Sequence, residues 1–273
     1  MPELPRTAHI RLDLRGPVLH LWLDRPRLRN ALSPQMAREI VATLKAIADD
    51  RAVRIVVLRG AGGTFCSGGD IRSMAAAGAA PPSGAADELQ QNNRRFGAML
   101  EAVNAAPQAV IAAVEGAAMG GGFGLACVAD ITIATADARF AMSEVTIGVV
   151  PAAISPFVVE RIGLTAARRL AVTGARLDGR EAAAIGIAHL CVDDAAALEA
   201  AVREACNQVL QCAPGAVAAT KRLMLRAAGP SPTPELLDDA AVCFAAAARS
   251  PEGREGTTAF VEKRKPSWVT QVK

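Results

Sequence analysis

The chain has no tyrosine, and aromatic residues make up only 3% of its 273 positions. That poverty argues against the stacking platforms on which single-stranded nucleic acid is bound. No charge of one sign dominates. Thirty basic against 27 acidic residues leave a scattered net charge of +3, where a nucleic-acid binder carries a basic stripe. No uncharged apolar run is long enough to span a bilayer, so no membrane partner is expected. The six cysteines show no CxxC spacing, and the three histidines, His9, His20 and His189, are isolated. That pattern gives neither a zinc site nor a disulfide framework, so no metal is expected and reduced thiols point to the cytoplasm. The opening residues Met1–Pro5 show no charged-then-apolar secretory signal. One dense basic cluster, Lys263-Arg264-Lys265, reads as a solvated tail or a phosphate contact.

What is present is apolar. A 51% hydrophobic content is ample for one large core with a helical appendix. Ile10–Asp13 and Val18–Asp24 alternate around Arg15-Gly16-Pro17 and predict a hairpin. Ser33-Pro34 predicts a capped helix start, with Met36, Ile40, Leu44 and Ile47 on one face. Arg54–Leu58, Ala109–Val114, Ile131–Ala134 and His189–Val192 read as strands. Helices are predicted over about Asp87–Ala105, from the second glycine turn to Ala129, and over Ala195–Gln211, Ala216–Ala227 and Pro234–Ala248. Residues Ala75–Ala86, rich in Ala, Gly, Pro and Ser, predict a mobile loop. Strands alternating with helices imply an α/β fold with crossover connections. Residues 1–195 would form its core and 196–273 a helical C-terminal part.

Two glycine-rich turns follow apolar strands: Phe65-Cys66-Ser67-Gly68-Gly69-Asp70-Ile71 and Met119-Gly120-Gly121-Gly122-Phe123-Gly124. Neither ends in the Gly-Lys-Ser/Thr of a P-loop, and neither completes a dinucleotide fingerprint. Glycines here can serve tight packing alone. Two such turns can also aim two peptide N–H groups at one oxygen, an oxyanion hole. Glu144, downstream in an apolar stretch, is the acid that proton transfer beside a carbonyl requires. Asp70, Asp130 and Glu115 read as structural.

The turns stand in order with Asp24-Arg25-Pro26, Arg29-Asn30-Ala31-Leu32, Ala113-Val114-Glu115-Gly116, Asp130-Ile131, Ala138-Arg139-Phe140, Ser143-Glu144, Gly148, Pro151 and Phe260 with Lys263-Arg264-Lys265-Pro266. With this set the chain, from about Ile10 to Trp268, resembles the crotonase family, also called the enoyl-CoA hydratase/isomerase family. The resemblance implies a spiral of ββα units with a helical C-terminal trimerisation region. It implies a coenzyme A thioester substrate and no permanently bound cofactor. The oxyanion donors map to Gly69 and Gly121, and the catalytic acid to Glu144. Contacts to coenzyme A map to Arg25, Arg27, Leu28, Ser67, Gly69, Asp70 and Ile71. Phe260 and Lys263 would reach a neighbouring subunit's cofactor in a homotrimer or dimer of trimers. Gly124, Met119 and Pro151 fall in the substrate pocket, which the Ala75–Ala86 loop would help to shape.

Family hydratases typically use two glutamates, and the first maps to Gly124, which has no side chain. Three readings stay open: a hydratase using Glu144 alone, a Δ3,Δ2-enoyl-CoA isomerase, or an inactive CoA-ester-binding scaffold. The segment Ser143–Val159, with Gly122-Phe123-Gly124-Leu125-Ala126-Cys127 and the ending Phe260–Trp268, is similar to the branched glutaconyl-CoA hydratases, the isohexenyl and methyl types. Such a substrate brings its own carboxylate, and two carboxylates in a dry site repel. Gly124 is therefore expected to open space for a branched, carboxylated acyl group. An RNA-binding role, reported for some relatives, is opposed by the few aromatics and the modest charge.

Overall fold

The computed structural model describes residues 3–72, 75, 87–229 and 233–272. The predicted Ala75–Ala86 loop, Ala75 apart, lies outside the described residues. Strands β1 (Ile10–Arg15) and β2 (Val18–Leu23) form the expected antiparallel hairpin. Strands β3 (Ile55–Gly60), β4 (Ala109–Val114), β6 (Ile131–Thr135) and β9 (Leu190–Val192) then add in parallel, in the order β1-β2-β3-β4-β6-β9. Side chains alternate between two buried faces: Val56 and Leu58 face one layer, Ile55 and Val57 the other. Burial on both sides is why β3 and β4 read as unbroken apolar runs.

Helices α1 (Pro34–Ile47), α2 (Glu88–Asn104), α3 (Gly121–Val128) and α4 (Ser155–Thr173) contribute to the first layer. The Ser33 hydroxyl caps α1 by accepting from Met36 N–H at 3.1 Å, and Met36, Ile40, Leu44 and Ile47 are buried as expected. The short α5 (Gly179–Ala184) opens on a capping box from Asp178 and Glu181. Helix α6 (Ala195–Leu210) covers the other face with Leu198, Val202, Ala205, Cys206 and Leu210. It belongs physically with the sheet, although it begins at the boundary drawn from composition. Helices α7 (Pro214–Ala227), α8 (Pro234–Arg249) and α9 (Pro251–Val261) together bury only Ala259.

Three strands escape the sequence pattern. Strands β5 (Ala117–Met119), β7 (Arg139–Ala141) and β8 (Arg176–Asp178) form a second, three-stranded sheet. At three residues each they are too short to show a period. Helix α9 also went unpredicted, its boundary with α8 being a single proline junction at Ser250-Pro251.

Asn30 ties this framework together beside the first glycine turn. It is fully buried with φ 56°, a left-handed conformation that asparagine accepts better than most side chains. Its Oδ1 accepts from Arg25 N–H at 2.9 Å, and its Nδ2 donates to the Ala61 and Thr64 carbonyls at 2.9 and 2.6 Å. Asn30→Ala leaves three half-buried backbone groups without that partner, so unfolding free energy should fall by about 2–4 kcal/mol in urea titration. A loss below about 1 kcal/mol would show that water replaces the staple.

Candidate active site

The two glycine turns meet at the C-terminal ends of β3 and β4. Cys66 N–H donates to Ala117 O at 2.7 Å, and Met119 N–H donates to Cys66 O at 2.9 Å. Leu32 grips the first turn from its other side, donating to Gly68 O at 2.8 Å and accepting from Asp70 N–H at 3.0 Å. Gly120 N–H is anchored on Ala141 O at 2.8 Å.

Gly68 has φ +100° and Gly120 φ +48°, so each places a left-handed bend immediately before the next residue's N–H. Those next residues are Gly69 and Gly121. Among the described residues, neither of their N–H groups donates to a protein acceptor. A Cβ on Gly121 would come within 2.7 Å of Phe96 Cζ and 2.8 Å of Leu32 Cδ1. The site closes tightly around that donor. Gly121 also opens α3, whose N-terminal partial positive charge favours a developing anion.

Both turns border a cavity of about 530 Å³. Its wall brings together the sequence-predicted Ser67, Gly69, Asp70, Ile71, Gly121, Glu144 and Pro151. Glu144 starts a short 3-10 turn, Glu144–Ile147, that follows β7. Its Oε1 lies 2.8 Å from where a Cβ on Gly120 would stand, so the carboxylate rests against the peptide carrying the Gly121 donor. Its Oε2 is buried with no hydrogen-bond partner. Burial pushes the Glu144 pKa above its ordinary value, against the opposing pull of its own backbone N–H.

The other predicted residues fall around this centre. Arg25 donates to Ala31 O at 2.6 Å and pairs with Asp70 at 3.0 Å, so it braces the first turn from beneath. Arg27 and Leu28 are exposed on a neighbouring 3-10 turn, which Ser67 joins through Arg29 O at 3.0 Å and Leu28 O at 3.3 Å. Met119 serves through its backbone and does not line the cavity. Phe260 and Lys263 are exposed at the end of α9, away from this chain's own cavity. Asp130 is structural, accepting from Val110 N–H and Lys221 Nζ at 2.7 Å each.

Gly124 corrects an expectation. It does not line the cavity, and the space above it is filled: a Cβ there would lie 2.5 Å from Ile154 Cγ2 and 3.4 Å from Leu100 Cδ1. The missing side chain makes room for Ile154, not for an acyl branch. Ile154, Phe96, Leu32 and Arg95 all line the cavity and were missed as site residues. Leu32 stands inside a quoted motif, but nothing local marks the other three. Cys66, though central to the turn, is no nucleophile, because complete burial pushes its thiol pKa up to about 12.

The chain matches the sequence model of the family described as Enoyl-CoA hydratase/isomerase over residues 14–271. It is similar to the solved structure of Pseudomonas aeruginosa AtuE, at 53% identity and a TM-score of 0.92, covering 96% of this chain and 100% of that one. It is also similar to an enoyl-CoA hydratase/isomerase structure from Marinobacter aquaeolei, at 49% identity and a TM-score of 0.91, covering 96% and 99%. Carnitinyl-CoA dehydratase of Proteus mirabilis is 33% identical over 265 residues, which span 95% of this chain and 97% of that protein.

Two outcomes follow from this geometry. If Glu144 works as a base, the acid limb of kcat/KM should fall at a pH above 4.5, the carboxylate's ordinary value, because the raised pKa keeps it protonated longer. Glu144→Gln should lose turnover and raise Tm near neutral pH, since it removes a poorly solvated charge. Gly124→Ala should cost about 1–3 kcal/mol by overpacking against Ile154. Adding Ile154→Ala should restore part of that loss, and a coupling energy near zero in the double-mutant cycle would show that the two sites do not touch.

Proposed function

The chain belongs to the enoyl-CoA hydratase/isomerase family, and from that premise we propose that it adds water across the 2,3 double bond of a branched glutaconyl-CoA thioester, using Glu144 alone. Its fold is the crotonase α/β fold, with mixed sheets and a helical C-terminal region. The observation that carries the proposal is the placement of one desolvated carboxylate, Glu144, against the Gly121 turn, with the apolar Ile154 over Gly124.

The thioester oxygen would sit between the Gly69 and Gly121 N–H groups. One such donor is typically worth about 3–4 kcal/mol of barrier as the enolate forms. Ionised Glu144 takes a proton from water as the water oxygen bonds to C3. The electron pair of the double bond moves into the enolate. Protonated Glu144 then delivers that proton to C2, so one carboxylate closes the cycle. Coenzyme A would run over Arg27, Leu28 and Ser67, with the Arg25–Asp70 pair bracing the turn beneath. Phe260 and Lys263 would meet the cofactor of a neighbouring subunit in a cytoplasmic homotrimer or dimer of trimers. The exposure of Phe244 and Phe260, at 75% and 85%, supports a partner over the last helices.

A second reading draws on the same wall. Ile154 leaves no second carboxylate opposite Glu144, and isomerisation needs none. Glu144 could take a proton from C2 of a 3-enoyl thioester and return it to C4.

The test is mass spectrometry of an enoyl-CoA panel after incubation, with Glu144→Gln in parallel. The panel holds crotonyl, methylglutaconyl, isohexenylglutaconyl and 3-enoyl thioesters. Gain of one water on a branched glutaconyl ester, lost in the variant, is the expected result. Conversion of the 3-enoyl ester at unchanged mass would make the enzyme an isomerase. Tight CoA-ester binding without turnover would leave a scaffold.

A further inference from the structure

Helix α2 carries an unusual charge into the cavity wall. Among the described residues that line it, Arg95 is the only cation. Its guanidinium is held by two neutral oxygens of its own helix, Asn92 Oδ1 at 3.1 Å and Gln91 Oε1 at 3.0 Å. Arg94, next to it, pairs with the Glu101 carboxylate at 3.6 Å. Arg95 has no carboxylate partner among the described residues. The other charges of the wall are accounted for. Asp70 is paired with Arg25, and Glu144 is desolvated beside the Gly121 turn. The following residue, Phe96, closes on Gly121, so this turn of α2 belongs to the site.

A cation held by neutral acceptors, with no described carboxylate committed to it, can receive an anion from the ligand. A planar guanidinium does so with two parallel N–H donors, which suits a carboxylate. We infer that Arg95 is the specificity-determining residue for an acyl chain ending in a second carboxylate, that is, for the CoA monothioester of a dicarboxylic acid. The inference rests on the proposed branched glutaconyl reading and supplies the group that recognises its distal end. It also gives the substrate's carboxylate a cationic partner. A second anion near Glu144 would raise its pKa further and hold it protonated.

Binding and turnover separate the two claims. Calorimetry would compare glutaryl-CoA with hexanoyl-CoA, neither of which has a double bond to hydrate. The wild-type chain should prefer glutaryl-CoA, and Arg95→Gln should reduce the ratio of affinities by roughly 10–100-fold. Arg95→Lys should keep part of the preference, since it keeps the charge and loses the fork. No preference in the wild type, or a preference intact in Arg95→Gln, overturns the inference. An equal loss of affinity for both esters also overturns it, because the arginine would then be serving coenzyme A itself. Parallel assays would set methylglutaconyl-CoA against 3,5-dimethylhex-2-enoyl-CoA, whose isopropyl group replaces the carboxylate. Absence of turnover on both esters, with the glutaryl preference present, would sink the hydratase reading and leave Arg95 as a carboxylate receptor.

Discussion

The geometry of the candidate site depends on one short parallel pairing between Cys66 and Ala118. Two main-chain hydrogen bonds there draw a turn after β3 against a turn after β4. Each is worth only about 1 kcal/mol net. Their importance is positional. They set two left-handed glycine bends side by side, so that the N–H groups of Gly69 and Gly121 are left for a ligand. Leu32 and Ala141 add main-chain clamps from the flanks. Removing water from such donors is useful only if nothing in the protein satisfies them first, and here nothing described does.

The same packing desolvates Glu144. A carboxylate is ordinarily stabilised by solvent or by donors, and Glu144 has one oxygen with neither. Close approach to Gly120 and the apolar wall around it disfavour the charged form. Burial of that oxygen costs stability and raises the pKa, as often happens at functional sites, and it fits the proton-transfer role proposed for Glu144. Asp70 shows the opposite treatment a short way along the wall. Its pairing with Arg25 makes it part of the scaffold. Ile154 completes the contrast by occupying the hollow over Gly124, which leaves an apolar side chain there.

The opposite end of the sheet does the anchoring. Arg54, at the start of β3, donates to the carbonyls of Val209, Leu210 and Cys212 at the end of α6, and to Trp268 O at 2.7 Å. A guanidinium there meets the negative end of the helix dipole and holds the C-terminal tail. Lys221 ties α7 to Asp130 in the same way. The candidate site lies at the carboxyl ends of the parallel strands, where open α/β sheets favour ligands. The Arg54–carbonyl contacts and the Lys221–Asp130 ion pair hold the strands' amino ends, away from the unsatisfied groups of the site.

Features governed by neighbours in sequence could be read before any coordinates. The apolar runs of β3 and β4, the Ser33 cap and face of α1, the glycine bends and the buried setting of Glu144 are local or periodic signals. So are the spaced motifs that carry the family resemblance. Chain folding decided what depends on partners far apart. Strands β5, β7 and β8 exist because other strands pair with them, since three residues carry no period of their own. Asn30 gains its weight from carbonyls some thirty positions away. Gly124 looked like an opening because a sequence shows what a residue lacks and not what moves into the gap. Ile154, thirty residues on, fills it. Arg95 is one of many arginines until α2 packs over the glycine turns and places it on the cavity wall. Local chemistry therefore determined most of the elements and the family motifs, and three-dimensional packing determined which side chains line the cavity.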